Sequence, residues 1–370
     1  MRKLLFCALC LAVAACASRK TNDGTAGDEL TMLVGTYTDG SSRGIYSFRF
    51  NQATGEATAL DSADIVNPSY LTTSADGRFV YAVSETEDTT AAVSAFALDA
   101  ESGKFRLLNR QPACAGSPCY IATDGRVLLT ANYGGGSMGV FGVERNGTVG
   151  RIDTLFEGST GGTDAERQAT PHVHCAVFSP DGKYIFATDF SADRLLRFVV
   201  HPGSNVPYLS DEHIALTPET GPRHLTFSPN GRFAYLIGEL SGMVTAFSYD
   251  DGTLTPLQTI TADTLHARGS ADIHLSPDGR YLYASNRLQG DGVAIFAVDS
   301  ETGRLAKAGY QPTGVHPRNF CITPNGAFLL VGCRDSGVIQ VFRRNADTGL
   351  LTDTHRDIRI DKAVCIRFVE

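Results

Sequence analysis

The chain of 370 residues contains no tryptophan, so it lacks the aromatic platform on which a sugar-binding module most often seats a ring. Only 19% of its residues are Asp, Glu, Lys or Arg, and acids outnumber bases to give a net charge of −8. That balance excludes nucleic acid as a partner, because a polyanion needs a basic footprint. No helical repeat follows residue 16, and neither does an apolar run long enough to span a bilayer. Of the nine cysteines, the six beyond residue 16 include no CxxC pair with zinc-finger spacing. Nor does a GxSxG stand between a strand and a helix, as a serine nucleophile elbow requires. Zinc ribbons, serine hydrolases of that type and membrane-spanning bundles are all set aside.

What the chain does have is one turn written six times. It reads SADGRFVYAV from Ser74, TDGRVLLTA from Thr123, SPDGKYIFAT from Ser179, SPNGRFAYLI from Ser228, SPDGRYLYAS from Ser276 and TPNGAFLLVG from Thr323. The motif glycines Gly77, Gly125, Gly182, Gly231, Gly279 and Gly326 are spaced by 48, 57, 49, 48 and 47 residues. Asp-Gly or Asn-Gly between apolar runs marks a tight hairpin, since those residues tolerate the backbone angles a hairpin demands. A period of roughly 40–50 residues with strands inside each unit is the signature of propeller blades. The fold class is therefore all-β, with four antiparallel strands per blade. In the Ser228 unit the strands are expected at about Arg223–Phe227, Phe233–Ile237, Met243–Tyr249 and Thr253–Thr259, and turns such as DDGTL, DAESGKF and DSETGRL close the outer hairpins. Residues 31–60 supply strands two, three and four without a first strand, and AVCIRFV from Ala363 falls where a first strand is due. Pairing the two ends gives seven blades and removes the open sheet edges.

The N-terminal 16 residues read as a secretory leader. Arg2 and Lys3 precede an apolar stretch from Leu4 to Ala15, and Cys16 follows Val-Ala-Ala, as in a lipoprotein signal whose cysteine is acylated. The expected layout is a leader over 1–16 with lipidation at Cys16, a tether over 17–30 and the propeller over 31–370. Setting Arg2 and Lys3 aside leaves 30 basic against 40 acidic residues, a net of −10. The expected location is the cell envelope, with the membrane met only through the lipid anchor and the chain a monomer. Cys114 and Cys119 are close enough in sequence to pair in an oxidising compartment. Cys175, Cys321 and Cys365 lie in apolar runs, where cysteine serves as a small hydrophobe.

In a propeller the first strand of each blade lines the central channel, and the start of strand one lies beside the end of strand two. Aligning the repeats gives a second-strand column of Thr36, Glu85, Asn132, Asp189, Glu239, Asn286 and Cys333, followed by Tyr37, Tyr133, Arg287 and Arg334. The first-strand column contains Ser69, His174, Arg223 and Arg318, with His172, His224 and Asp272 near it. Polar groups converging in a closed funnel form a site. His172 and His174 alone are two ligands short of a structural metal centre, so neither a metal nor a cofactor is expected. Gly134–Gly136 look like a phosphate cradle but lead into no helix.

The phrases NPSYL, SPCYIATDGRVLLTANYGGGS, QATPHVHCAVFSPDGKYIFATDF, GPRHLTFSPNGRFAYLIGEL, ADIHLSPDGRYLYASNR and HPRNFCITPNGAFLLVGCRDSG resemble the seven-bladed propeller lactonase family. That family includes bacterial propeller-type 6-phosphogluconolactonases and fungal carboxymuconate-lactonising enzymes. The resemblance spans nearly all of residues 31–370, and its most specific parts are QxxPHxH, the GPRH and GEL phrases, and SNR. It implies metal-independent lactone chemistry with Glu239, His174 and Arg223 catalytic. It also implies that Arg287 and Arg318 contact a small lactone or anionic sugar, and the two columns add His172, Asn132, Asp189 and Asn286 as candidate contacts. Glu239 or His174 would be the general base. Asp272 and Cys333 depart from the glutamate and asparagine usual in the family, and both are expected at the channel mouth. Two other readings stay open: a non-catalytic propeller that binds an anionic sugar or a protein, and a lactonising enzyme of the muconate type.

Overall fold

The computed structural model describes residues 28–369. The expected leader, Cys16 and the expected tether up to residue 27 lie outside the described residues. Seven antiparallel sheets are present; six have four strands, and the seventh gains a short extra strand, Ile358–Arg359. We number the blades from the N-terminus. Blade 1 is built from both chain ends, in the order Ala363–Phe368, Glu29–Thr36, Gly44–Asn51, Ala57–Asp64. The first strands of blades 2 to 7 are Leu71–Thr73, Pro118–Thr123, Val173–Phe178, Pro222–Phe227, Ser270–Leu275 and Pro317–Ile322. The blade count and the ring closure are as the sequence predicts, and the four strands of blade 5 run within two residues of the expected bounds.

The repeated turn explains itself atom by atom. In blade 4 the Ser179 hydroxyl donates to Asp181 Oδ1 at 2.6 Å and accepts the Tyr184 amide at 3.0 Å, while Gly182 sits at φ +68°. A side chain thus satisfies the backbone of the turn, and glycine takes the left-handed position at no steric cost. Ser228 repeats this with Asn230 at 2.7 Å and Phe233 at 3.0 Å. Between blades, both sheet faces are apolar and buried. Phe186, Leu236 and Phe247 fill the gap between blades 4 and 5, and Tyr283, Phe320 and Phe342 fill that between blades 6 and 7. Each such ring is worth roughly 1.5–3 kcal/mol of burial.

One feature of the backbone shapes the channel. In blades 1, 3, 4, 5, 6 and 7 the ladder between strands one and two carries an extra residue on the strand-one side, close to its start. A β-bulge of this kind interrupts strict alternation and re-aims side chains. Consecutive residues such as Arg223 and His224, or Ala271 and Asp272, therefore both make contacts to the first strands of adjacent blades.

Candidate functional site

The mouth of the channel is a closed circuit of charged groups. Glu239, just past the second strand of blade 5, is buried and shared by three arginines. Its Oε1 accepts Arg167 Nη2 at 2.6 Å and its Oε2 accepts Arg223 Nε at 2.9 Å, while Arg287 Nη2 forms an ion pair with Oε2 at 3.3 Å. Arg223 comes from the bulge of blade 5 and also donates to Ala271 O at 2.7 Å. Arg287 follows the second strand of blade 6 and donates from Nε to Gly269 O at 2.7 Å. On the opposite side Arg318, the bulge residue of blade 7, lies 5.6 Å over the Tyr37 ring and 3.9 Å from Glu85 Oε2. Tyr37 donates its hydroxyl to the Glu85 carboxylate at 3.0 Å. His174, the bulge residue of blade 4, completes the ring, edge-on to Tyr133 at 5.5 Å and to His224 at 5.2 Å.

Burial would raise the carboxyl of Glu239, but Arg287, Arg223 and Arg167 overcome it and hold the group at about 2. Burial pushes Arg287 down to about 9, which leaves it charged at neutral pH. Burial, reinforced by Arg223, holds His174 well below the ordinary imidazole value, so it is neutral. Burial and the arginines do the same to His224 and His316, each pushed down to about 3. Four guanidiniums thus face two carboxylates, Glu239 and Glu85. The surplus of two positive charges in a partly dehydrated funnel attracts an anion and stabilises negative charge that develops in a reaction.

One step below lies Asp272. Its Oδ1 accepts His224 Nδ1 at 2.8 Å and the Ile273 amide at 3.0 Å; its Oδ2 accepts His274 Nε2 at 2.9 Å, Asn319 Nδ2 at 2.5 Å and the Phe320 amide at 3.3 Å. Asp272 is therefore a buried tie among three first strands, and the expectation that it stands at the mouth is corrected. Cys333 is also corrected. It is fully buried in the apolar contact between blades 6 and 7, with Sγ facing Gln340 Oε1 at 3.5 Å.

The second-strand column read from sequence mixes two registers. Glu85 and Glu239 stand eight residues after their motif glycines, whereas Asn132, Asp189, Asn286 and Cys333 stand seven after theirs. A slip of one residue turns a side chain to the other face of the sheet. Asn132 accordingly donates to Ser137 Oγ at 3.1 Å, within its own blade. Asp189 accepts Arg194 Nε at 2.9 Å and the Ser159 amide at 3.2 Å, and Asn286 accepts Ser270 Oγ at 2.6 Å while donating to Ala262 O at 3.0 Å. These three do not join the ring. The residues one position later do: Tyr37, Tyr133 and Arg287. His172 sits at the rim, stacked on Tyr133 at 4.1 Å with Nδ1 2.6 Å from Tyr133 O, and shares that ring with His174.

Sequence reading missed Arg167. It stands in the connection between blades 3 and 4, where the motif spacing stretches to 57 residues, and that surplus is the signal that could have found it. Asp164 caps the loop by accepting the Glu166 and Arg167 amides at 2.9 Å, and its carboxylate also binds Arg268 of the connection between blades 5 and 6. Gln168 of the QxxPHxH phrase is buried and donates to Phe190 O at 3.0 Å. The loop is thereby laid across the mouth.

Cys114 and Cys119 are both free thiols, Cys114 exposed and Cys119 buried with Sγ 3.7 Å from His174 Nδ1, so they do not pair. Gly135–Gly139 spells GGSMG, the letters of a nucleophile elbow. Ser137 nevertheless opens a strand and is buried against Asn132. Gly135 is needed because a side chain there would meet Ala115 Cβ at 2.6 Å. Among the described residues no group of three or more His, Cys, Asp or Glu is placed to hold a metal ion. A hollow of about 710 Å³ lies on the outer strands of blades 1 and 2, where Arg43 and Asp64 pair with each other at 2.5 Å, and none of the ring residues lines it.

Comparison with known proteins agrees with this fold. Residues 31–368 match the model of the family described as "Lactonase, 7-bladed beta-propeller". A protein of Formosa agariphila named 6-phosphogluconolactonase is 37% identical over 341 residues, covering 89% of this chain and 97% of its own. A solved structure from Bacteroides uniformis is 67% identical with a TM-score of 0.92, over 92% of this chain and 100% of its own. The periplasmic gluconolactonase of Pseudomonas aeruginosa is 34% identical with a TM-score of 0.87, over 92% of this chain and 99% of its own.

Proposed function

This chain belongs to the seven-bladed β-propeller lactonase family, and we propose that it hydrolyses a sugar lactone at the arginine-lined mouth of its channel. The observation that carries the reading is Glu239 shared among Arg167, Arg223 and Arg287 beside a neutral, buried His174. Ester hydrolysis needs a proton acceptor for water, donors for the oxyanion and a proton for the leaving oxygen. Both Glu239 oxygens are occupied by guanidiniums, so its role is to hold them. His174 is neutral at working pH and takes the proton of the attacking water. Water oxygen then bonds to the lactone carbonyl carbon, and the negative charge collects on the former carbonyl oxygen, where Arg223 and Arg287 donate. Collapse breaks the ring C–O bond, and His174 returns the proton to the departing alkoxide. The product is a hydroxy acid.

Arg167, whose side chain is 34% exposed, can turn from Glu239 to an anionic group of the substrate, and Arg318 offers a second anion contact. The leader over residues 1–16 favours an exported chain anchored at Cys16, meeting its lactone in the envelope, as the periplasmic relative does. Among the described residues no helix is long and apolar enough to cross a membrane. An unphosphorylated aldonolactone fits such a compartment at least as well as a phosphorylated one. The test is hydrolysis of δ-gluconolactone, 6-phosphogluconolactone, galactonolactone and glucuronolactone in weak buffer with a pH indicator, after treatment with chelator. Turnover above the spontaneous rate supports the reading and ranks the substrates. A flat panel from folded protein refutes it in favour of a binding propeller or the muconate-type reaction.

A further inference from the structure

Arg223 and Arg287 converge on one carboxylate oxygen, and each is backed by the same device. Arg223 Nη1 lies 3.3 Å from His224 Nε2, and His224 Nδ1 lies 2.8 Å from Asp272 Oδ1. Arg287 Nη1 lies 3.3 Å from His316 Nε2, and His316 Nδ1 lies 3.5 Å from Asp335 Oδ2. A carboxylate only accepts, so Asp272 holds the proton of His224 on Nδ1 and leaves Nε2 as an acceptor for the guanidinium, and the Asp335 charge near Nδ1 of His316 favours the same tautomer without a hydrogen bond. The two chains come from different places. His224 neighbours Arg223 in the first strand of blade 5, whereas His316 precedes the first strand of blade 7 and reaches back to blade 6. Sequence repetition therefore does not account for the likeness.

His316 also has an unusual backbone. It sits at φ +62°, the left-handed region, and its amide donates to Asp291 Oδ1 at 2.9 Å. Strain at a non-glycine residue persists where the surroundings over-determine it, and it clusters at functional sites. Asp335 is itself fixed, since Arg334 grips it with two contacts at 2.8 Å and Lys362 lies 3.6 Å away.

We propose that His224 and His316 are positioning residues that form paired Asp–His–Arg relays, aiming the Arg223 and Arg287 guanidiniums at one point of the mouth. Each neutral imidazole takes an N–H that would otherwise turn to water or to substrate. Both arginines then keep one orientation, with their remaining donors directed at Glu239 and at whatever anion develops beside it. The proposal rests on the hydrolase reading for its consequence and on the hydrogen bonds for its geometry.

The experiment compares His316→Ala with His316→Gln in the full chain, on the most rapidly hydrolysed lactone of the panel. Glutamine places an oxygen near the Nε2 position and keeps the acceptor; alanine leaves an Arg287 donor without one. An unmade buried hydrogen bond of this kind predicts a roughly 10- to 100-fold loss of kcat/KM for alanine. The loss should fall mainly on kcat, and glutamine should stay within about threefold of wild type. His224→Gln and His224→Ala should repeat the contrast. Equal losses in both variants, or losses that follow thermal stability, overturn the relay. If the wild type turns over no lactone, only the hydrolase reading fails. The relay is then judged by urea melts of His316→Ala, Arg287→Ala and the double variant: non-additive losses support it, and additive losses overturn it.

Discussion

Replacing Glu239 by glutamine removes the one carboxylate that three arginines share and leaves the shape of the side chain intact. In the native ring its carboxyl is held at about 2 rather than 4.5, because Arg287, Arg223 and Arg167 outweigh burial. A shift of that size favours the ionised form in the folded chain by about 3 kcal/mol. The folded-state value lies below the unfolded one, so this stabilisation is fully present above pH 4.5 and is lost as the pH falls toward 2. Glutamine offers one acceptor oxygen, and its amide group faces a guanidinium donor to donor. Glu239→Gln should therefore be less stable by about 3 kcal/mol at pH 7, at the low end of the cost of breaking a buried pair. Its Tm should drop by roughly 4 °C. Urea melts at pH 7, 4 and 3 read the effect, and the gap between wild type and variant should narrow steadily on acidification. Equal midpoints at pH 7, or a gap unchanged at pH 3, would show that the arginines are neutralised elsewhere and that the ring is mis-assigned. Turnover should fall at least about 100-fold, since the oxyanion donors lose their alignment.

Other outcomes follow from the same geometry. His174→Asn should keep its fold by circular dichroism while losing about 10²–10⁴ in kcat. Because burial and Arg223 hold His174 below the ordinary imidazole value, the acceptor is deprotonated through the neutral range. Wild-type kcat/KM should then be level between about pH 6 and 8 once spontaneous hydrolysis is subtracted; an inflection near 6.5 would contradict the role given to this residue. Arg318→Ala should raise KM for an anionic lactone about 10- to 100-fold and leave a neutral one nearly unchanged, as expected for a lost charge-assisted bond. Ending the chain at Lys362 removes Ala363, Cys365 and Ile366, all fully buried, and exposes the edge of Glu29–Thr36. Size-exclusion chromatography should show aggregates rather than a compact monomer; a monodisperse truncated protein would refute closure by this strand.

The propeller was legible because its signals are local and repeated: a Ser or Thr, an Asp or Asn, and a Gly, at the same offsets five times and one residue closer at Thr123. Closure by Ala363–Phe368 followed from counting strands. The site was legible only in part, and the reasons are physical. Alignment on the motif glycine locates a residue along a strand to within one position, yet the side-chain period of a strand is two. Glu239 and Asn286 therefore looked equivalent, while the structure turns one to the channel and the other into its own blade. The bulges add the converse difficulty, since they let neighbours such as Arg223 and His224 serve the same channel, which no alternating pattern anticipates. Arg167 escaped for a third reason: it lies in a connection between blades, outside every repeat, and reaches Glu239 only because Asp164 and Gln168 fold that connection over the mouth. What repeats in this chain builds the frame, and the groups that distinguish its chemistry stand where the repetition breaks. A search for function in a propeller sequence should begin at its longest spacing, here the 57 residues between Gly125 and Gly182.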